Sequence, residues 1–142
     1  MKVLVLHGPN LNLLGTREPD VYGSLTLAEV DGKVRERAEE LGVEVEFAQS
    51  NAEGELIDRI QAAPGDFDAI VFNPGGYSHT SVAIRDAVAA IRIPTIEVHL
   101  SNPAAREEFR KIDLVAGACA GVVAGFGWRS YVMALEAVAA GS

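Results

Sequence analysis

The stretch Ala69–Leu100, "AIVFNPGGYSHTSVAIRDAVAAIRIPTIEVHL", decides the fold. It opens on an apolar run, Ala69–Phe72, that is short enough for a strand and lacks the alternation that one wet face imposes. A second such run, Thr95–Val98, closes it. Between them Ala83, Ala87, Val88 and Ile91 recur at helical spacing. Strand, helix and strand in that order form a parallel crossover, and parallel sheets are covered by helices on both faces.

The alternation continues in both directions. Val3–Leu6, Val43–Phe47 and Val122–Ala124 are further apolar runs, which brings the strands to five. Leu27, Val30, Val34, Ala38 and Leu41 share one helical face, with Thr26-x-x-Glu29 as a capping box and Gly42 as the stop. Leu56, Ile57 and Ile60 mark another helix, and Val132, Leu135 and Val138 the last. The expected architecture is α/β: a doubly wound five-stranded parallel sheet with helices on both faces, for which the commonest order is 2-1-3-4-5. At 142 residues, 49% apolar, the chain 1–142 is expected to form one domain, with no repeat, linker or low-complexity segment. In such a sheet a ligand crevice lies beyond the carboxyl ends of strands one and three.

A formal net charge of -8 argues against broad contact with nucleic acid or an anionic membrane. It leaves room for a small anion held by a local cluster of donors, for which Arg17, Arg106 and Arg110 are candidates. Leu114–Trp128 is uncharged and spaces Gly117, Gly121 and Gly125 by four, yet it falls short of the ~20 residues of a membrane helix. It is read as a buried strand, Gly121–Ala124, with small neighbours. The start at Met1 is an apolar strand-like run rather than a signal peptide, so a cytoplasmic location is expected. The single cysteine, Cys119, lies among alanines and glycines and reads as a small buried residue.

Three stretches at strand ends carry the chemistry: "HGPNLNLLG" (His7–Gly15), "NPGGYSH" (Asn73–His79) and "EVHLSN" (Glu97–Asn102). The chain's three histidines, His7, His79 and His99, all fall in them. Asn10 and Asn73 could simply bond their own turns, but the density of polar groups favours a site. Gly75 and Gly76 supply a tight turn before a helix expected to begin near Thr80, whose free amides can hold an oxyanion or hydroxyl. Glu97 and His99, two apart on a strand, share a face, so the carboxylate can orient and charge the imidazole.

Cofactor patterns do not fit. No Gly-rich phosphate loop ends in Gly-Lys-Ser/Thr, and "GFGWRS" (Gly125–Ser130) breaks the dinucleotide pattern at its last glycine. "GGYSH" resembles a serine-hydrolase elbow only until Thr80, where glycine should stand. A phospho-receiver domain would want acids where His7-Gly8-Pro9-Asn10 and Asn73 stand. The histidines with Glu97 could bind zinc, but no His-x-His or HExxH spacing supports this, and no metal is expected. A flavodoxin-like binding module without catalysis is the remaining alternative. It leaves unexplained the loop "REPDVYG", Arg17–Gly23, within a stretch from Gly8 to Thr26 that shows no clear element and reads as a lid.

That loop has a chemical logic. Removing a proton beside a ketone wants a strong base, and a phenolate is stronger than a carboxylate or imidazole. A free phenol is almost all protonated near neutrality. A guanidinium ~4 Å away, at an effective dielectric of ~20, favours the phenolate by ~4 kcal/mol. Arg17 and Tyr22, five residues apart, can form that pair.

"GPNLNLLGTREPDVYG" (Gly8–Gly23), "NPGGYSHTSVAIRDA" (Asn73–Ala87), "IEVHLSNPAAREEFR" (Ile96–Arg110) and "GVVAGFGWRSY" (Gly121–Tyr131), in this order, resemble the type II 3-dehydroquinate dehydratases. His7 departs from the pattern, standing where many members carry asparagine. The resemblance implies a flavodoxin-like fold, no metal or other cofactor, and loss of water from 3-dehydroquinate to give 3-dehydroshikimate in the shikimate pathway to aromatic amino acids. It also implies no Schiff-base lysine. Of the only lysines, Lys2, Lys33 and Lys111, the first begins a strand and the second lies on a helix's polar side. By resemblance Tyr22 is the base, Arg17 its activating lid arginine, and His99, paired to Glu97, the general acid. Asn10 positions a water near the enolate. Asn73, Leu100 and Ser101 bind the substrate carboxylate, while His79 and Arg110 hold ring hydroxyls.

The helix "SVAIRDAVAAIRI", Ser81–Ile93, bears Arg85, Asp86 and Arg92 as its only charges and is expected to be covered by another subunit. The resemblance sharpens this to a dodecamer built of trimers, in which Asp86 reaches into the neighbouring subunit's site.

Overall fold

The computed structural model describes residues 1–141. Five strands, β1 (Lys2–His7), β2 (Glu44–Gln49), β3 (Ala69–Asn73), β4 (Thr95–His99) and β5 (Gly121–Ala124), form a parallel sheet in the order β2-β1-β3-β4-β5, the doubly wound arrangement expected of the sequence. Its helices are α1 (Pro19–Tyr22), α2 (Leu27–Leu41), α3 (Glu53–Ala62), α4 (Val82–Ala90) and α5 (Arg129–Ala139). The register puts His7 beside Asn73, so the carboxyl ends of β1 and β3 finish level. This is where the crossovers diverge and a crevice opens.

The pleat assigns side chains to two cores. Val3, Val5, Val71, Ile96 and Val98 pack with Val30 and Val34 of α2 and Leu135 of α5. Leu4, Leu6, Ile70 and Phe72 point the other way, against Leu56 and Ile60 of α3 and Ile84 and Val88 of α4. Helix α2 has the bounds that its signals dictate. Thr26 accepts from the Glu29 N–H while the Glu29 side chain accepts from the Thr26 N–H, and Gly42 ends the helix in the left-handed conformation at φ 70.

Some local expectations are corrected. The Gly8–Thr26 segment is not structureless: it contains a 3₁₀ turn at Leu11–Leu13 and α1. Pro19 sits at the first position of α1, where its fixed φ suits the turn, but elements this short leave no apolar period to read. Helix α4 starts at Val82 rather than near Thr80, because Ser81 caps it by accepting from the Ile84 N–H at 2.9 Å. Gly75–His79 forms a separate 3₁₀ turn. The same helix stops at Ala90 rather than Ile93, since Ile91 is already extended and Pro94 lies just beyond. Strand β5 is an edge strand rather than a buried one, with Val122 47% exposed. Cys119 is half-buried, and burial pushes its thiol up to about 12, which keeps it protonated and inert. No helix among the described residues is long and apolar enough to cross a membrane.

Candidate active site

The turns after β1 and β3 are laced together. Gly8 donates its N–H to the Asn73 carbonyl at 2.7 Å, and a Cβ on Gly8 would lie 2.7 Å from the Pro74 carbonyl, so only glycine permits the approach. Asn73 Oδ1 accepts from the Gly75 N–H at 3.0 Å, with Gly75 in the left-handed region at φ 59.

Beneath them runs a buried hydrogen-bond chain. Asn73 Nδ2 donates to the Tyr131 hydroxyl at 3.1 Å. Tyr131, kept protonated by burial, is hydrogen-bonded to His7 Nδ1 at 2.9 Å. His7 Nε2 in turn donates to Asp31 Oδ1 at 2.7 Å. The chain fixes the orientation of the Asn73 amide and leaves its second Nδ2 proton for the crevice.

The crevice is a cavity of about 150 Å³. Of the residues named from the sequence, Asn10, Arg17, Tyr22, Asn73, His79, His99, Leu100, Ser101 and Arg110 all line it. Tyr22 is clasped between guanidinium groups, with Arg17 at 4.5 Å and Arg106 at 5.0 Å from its ring centre. Arg17 thus reaches Tyr22 as expected, but over the ring face. Backbone strain marks the same segment: Asn10 (φ 68) and Glu18 (φ 39) are the only non-glycine residues with positive φ among those described. His79 donates its Nδ1 proton to the Ile112 carbonyl at 2.7 Å and packs edge-on against Phe109. Arg110 is steadied by Glu107 at 3.0 Å.

His99 Nε2 lies 2.5 Å from Glu97 Oε2 and 3.8 Å from Asp113 Oδ2. Burial disfavours the charged ring, but the hydrogen bonds and charges of Asp113 and Glu97 prevail and raise it to about 9. Burial raises Glu97 to about 7. Burial also works against charge on Asp113, yet the neighbouring His99, 3.8 Å away, Glu97 and the bond from the Ala116 N–H hold it well below the usual carboxylate range.

A family model described as dehydroquinase class II matches residues 1–139. The chain belongs to the class II dehydroquinase family. It is 58% identical over 140 residues to a 3-dehydroquinate dehydratase of Pelotomaculum thermopropionicum, covering 99% of this chain and 97% of the relative. It is 56% identical over 137 residues to one from Desulforudis audaxviator, covering 96% of this chain and 91% of the other. The crystal structure of a type II dehydroquinase from Butyrivibrio crossotus superposes with a TM-score of 0.95 at 46% identity, each chain covered to 97%.

In this class II dehydroquinase the cavity has a distinctive charge. Arg17, Arg106 and Arg110 line it, and no carboxylate among the described residues does, although the chain as a whole carries -8. That suits a small anion. A larger cavity, about 670 Å³, lies across Tyr22, but it brings no imidazole or carboxylate to the phenol. The acid–base groups converge in the smaller one.

The three-histidine zinc arrangement is not assembled, because His7, His79 and His99 have separate partners. Among the described residues only Glu97, His99 and Asp113 could close on a cation, and Glu97 already occupies His99 Nε2. Glu97 stands behind His99, fully buried. Asp86 lies elsewhere, on the exposed side of α4, where it accepts from Arg85 at 3.0 Å.

One residue of the site, Asp113, was missed from sequence. Arg106 was named as a candidate anion donor and lines the cavity, but nothing in the pattern linked it to Tyr22. Asp113 sits outside the strand-end stretches and gave no signal.

Proposed function

We propose that this chain is a hydro-lyase that removes water from 3-dehydroquinate to give 3-dehydroshikimate. The observation that carries the reading is a strong potential base, Tyr22, and a charged acid, His99, opening into one cationic cavity. As phenolate, Tyr22 takes the proton beside the ketone, and the bonding electrons move into an enolate. Asn10 holds a water near the enolate oxygen. The enolate collapses, the carbon–oxygen bond breaks, and His99 gives its proton to the departing hydroxyl, so one water leaves. Asn73, with its fixed amide, and Ser101 and Leu100 receive the substrate carboxylate, while His79 and Arg110 meet the ring hydroxyls. The place of this reaction is the shikimate pathway, in the cytoplasm. The test is direct: chelator-treated protein mixed with 3-dehydroquinate generates ultraviolet absorbance from the conjugated product. No absorbance change at high enzyme concentration sinks the reading.

The assembly that accompanies this reading is a dodecamer built of trimers. Val82, 57% exposed, and Ala83, Ala89 and Ala90 leave α4 with a largely apolar outer face, which favours cover by a second copy. Asp86 on that face would then complete a neighbour's site. Asp86→Ala is expected to raise KM for 3-dehydroquinate more than it lowers kcat, and light scattering on active enzyme to report a large oligomer. A fully active monomer would refute the shared site.

A further inference from the structure

We infer that Asp113 is the charge-bearing partner of His99, and that the nearer carboxyl, Glu97, is protonated, so that the pair presents a single negative charge to the imidazolium. Asp113 is thereby a positioning residue for the acid of the proposed dehydration, and the inference rests on that reading only for the effect on turnover.

The geometry distinguishes the two carboxyls. Asp113 Oδ1 accepts from the backbone N–H groups of Val115 and Ala116, each at 3.0 Å. These bonds pin the carboxylate and leave Oδ2 turned toward His99 Nε2 at 3.8 Å. Its side chain keeps some contact with solvent, 25% exposed. Glu97 has neither advantage. Its side chain is 0% exposed, Oε2 meets only the imidazole at 2.5 Å, and no donor reaches Oε1. An ionised Glu97 would bury an oxygen bearing half a charge with nothing to satisfy it.

A carboxyl oxygen of Asp113 lies within 4.8 Å of one of Glu97. Like charges this close resist joint ionisation, and the proton settles on the acid with fewer donors and less water. That acid is Glu97. The directions agree, Glu97 being pushed up and Asp113 down.

The other groups around His99 do not take over this role. Tyr22, Arg17, Arg106, Arg110 and His79 face it across the cavity, and none is a carboxylate. Cys119, in the field of both acids, remains a neutral thiol. With Nε2 engaged from behind, His99 keeps Nδ1 for the cavity.

The consequence runs against proximity: the nearer acid is not the one that sets the charge on His99. Glu97→Gln retains an acceptor for His99 and removes no charge, so the titration of His99 stays in place. Asp113→Asn keeps the Oδ1 acceptor for the two backbone N–H groups but removes the charge. It moves that titration, and with it the alkaline limb of the kcat profile, to lower pH by about one unit or more, the scale for losing an opposite charge at this distance. Asp113→Ser, which also caps the turn without charge, should do the same and serves if the asparagine variant folds poorly.

Titrating His99 by ¹³C-imidazole NMR in the unliganded proteins reads the same shift without turnover. A wild-type protein inert toward 3-dehydroquinate therefore defeats the functional reading while leaving this inference open to test. An unmoved His99 in both Asp113 variants overturns it, as does a displacement in Glu97→Gln as large as theirs.

Discussion

Replacing Tyr22 by phenylalanine is expected to lower turnover of 3-dehydroquinate by about 10²–10⁴-fold, the usual contribution of a positioned acid or base. The substitution removes one oxygen and keeps the ring that Arg17 and Arg106 clasp at 4.5 and 5.0 Å. Tyr22 is only half-buried, and its hydroxyl is not part of the hydrogen-bonded core, so thermal unfolding and circular dichroism should be little changed. The substrate contacts proposed for Asn73, His79 and Arg110 are untouched by the change, so the loss is expected in kcat rather than KM. The Arg17 and Arg106 guanidinium groups over the ring keep the same contact with phenylalanine, so the variant isolates the loss of the hydroxyl. Near wild-type turnover in this variant would remove Tyr22 from the mechanism.

The sheet was legible because its signals are periodic. Buried runs bounded by helical repeats dictate a parallel sheet, and Thr26, Glu29 and Gly42 punctuate α2 at both ends. Strand β5 was misread because an uncharged stretch of small residues looks the same at an edge as at a centre, and only tertiary pairing decides. Helix α1 was invisible for want of length. At the site, parity explains one outcome: His7 lies on the same face of β1 as Val3 and Val5, and so turns into the core beneath α5, where Tyr131 meets it. Glu97 and His99 alternate with Ile96 and Val98 and so take the opposite face of β4. Their alliance was readable from a spacing of two. Asp113 was not, because its contact with His99 joins β4 to a distant loop and depends on how Val115 and Ala116 turn the chain.

Replacing His99 by glutamine is expected to suppress elimination by about 10²–10⁴-fold, as for loss of a general acid, but by a different route from Tyr22→Phe. The amide can still meet Glu97, so the buried carboxyls are not left facing a void, yet it has no proton to give at working pH. Without that proton the enolate forms and reverts, because the hydroxyl cannot depart cheaply as hydroxide. The two variants should therefore separate in deuterated water. In His99→Gln, the hydrogen beside the ketone continues to exchange with solvent while product fails to appear. In Tyr22→Phe, exchange and product fall together, since no base begins the reaction. Exchange lost in both variants would mean that His99 acts before carbon–oxygen cleavage, and exchange surviving in Tyr22→Phe would place the base elsewhere in the cavity. The alkaline side of the wild-type profile should carry the same signature. His99 is raised to about 9, so its protonated form, and with it elimination, declines as pH rises through that value, while exchange depends on Tyr22 and does not follow the same decline.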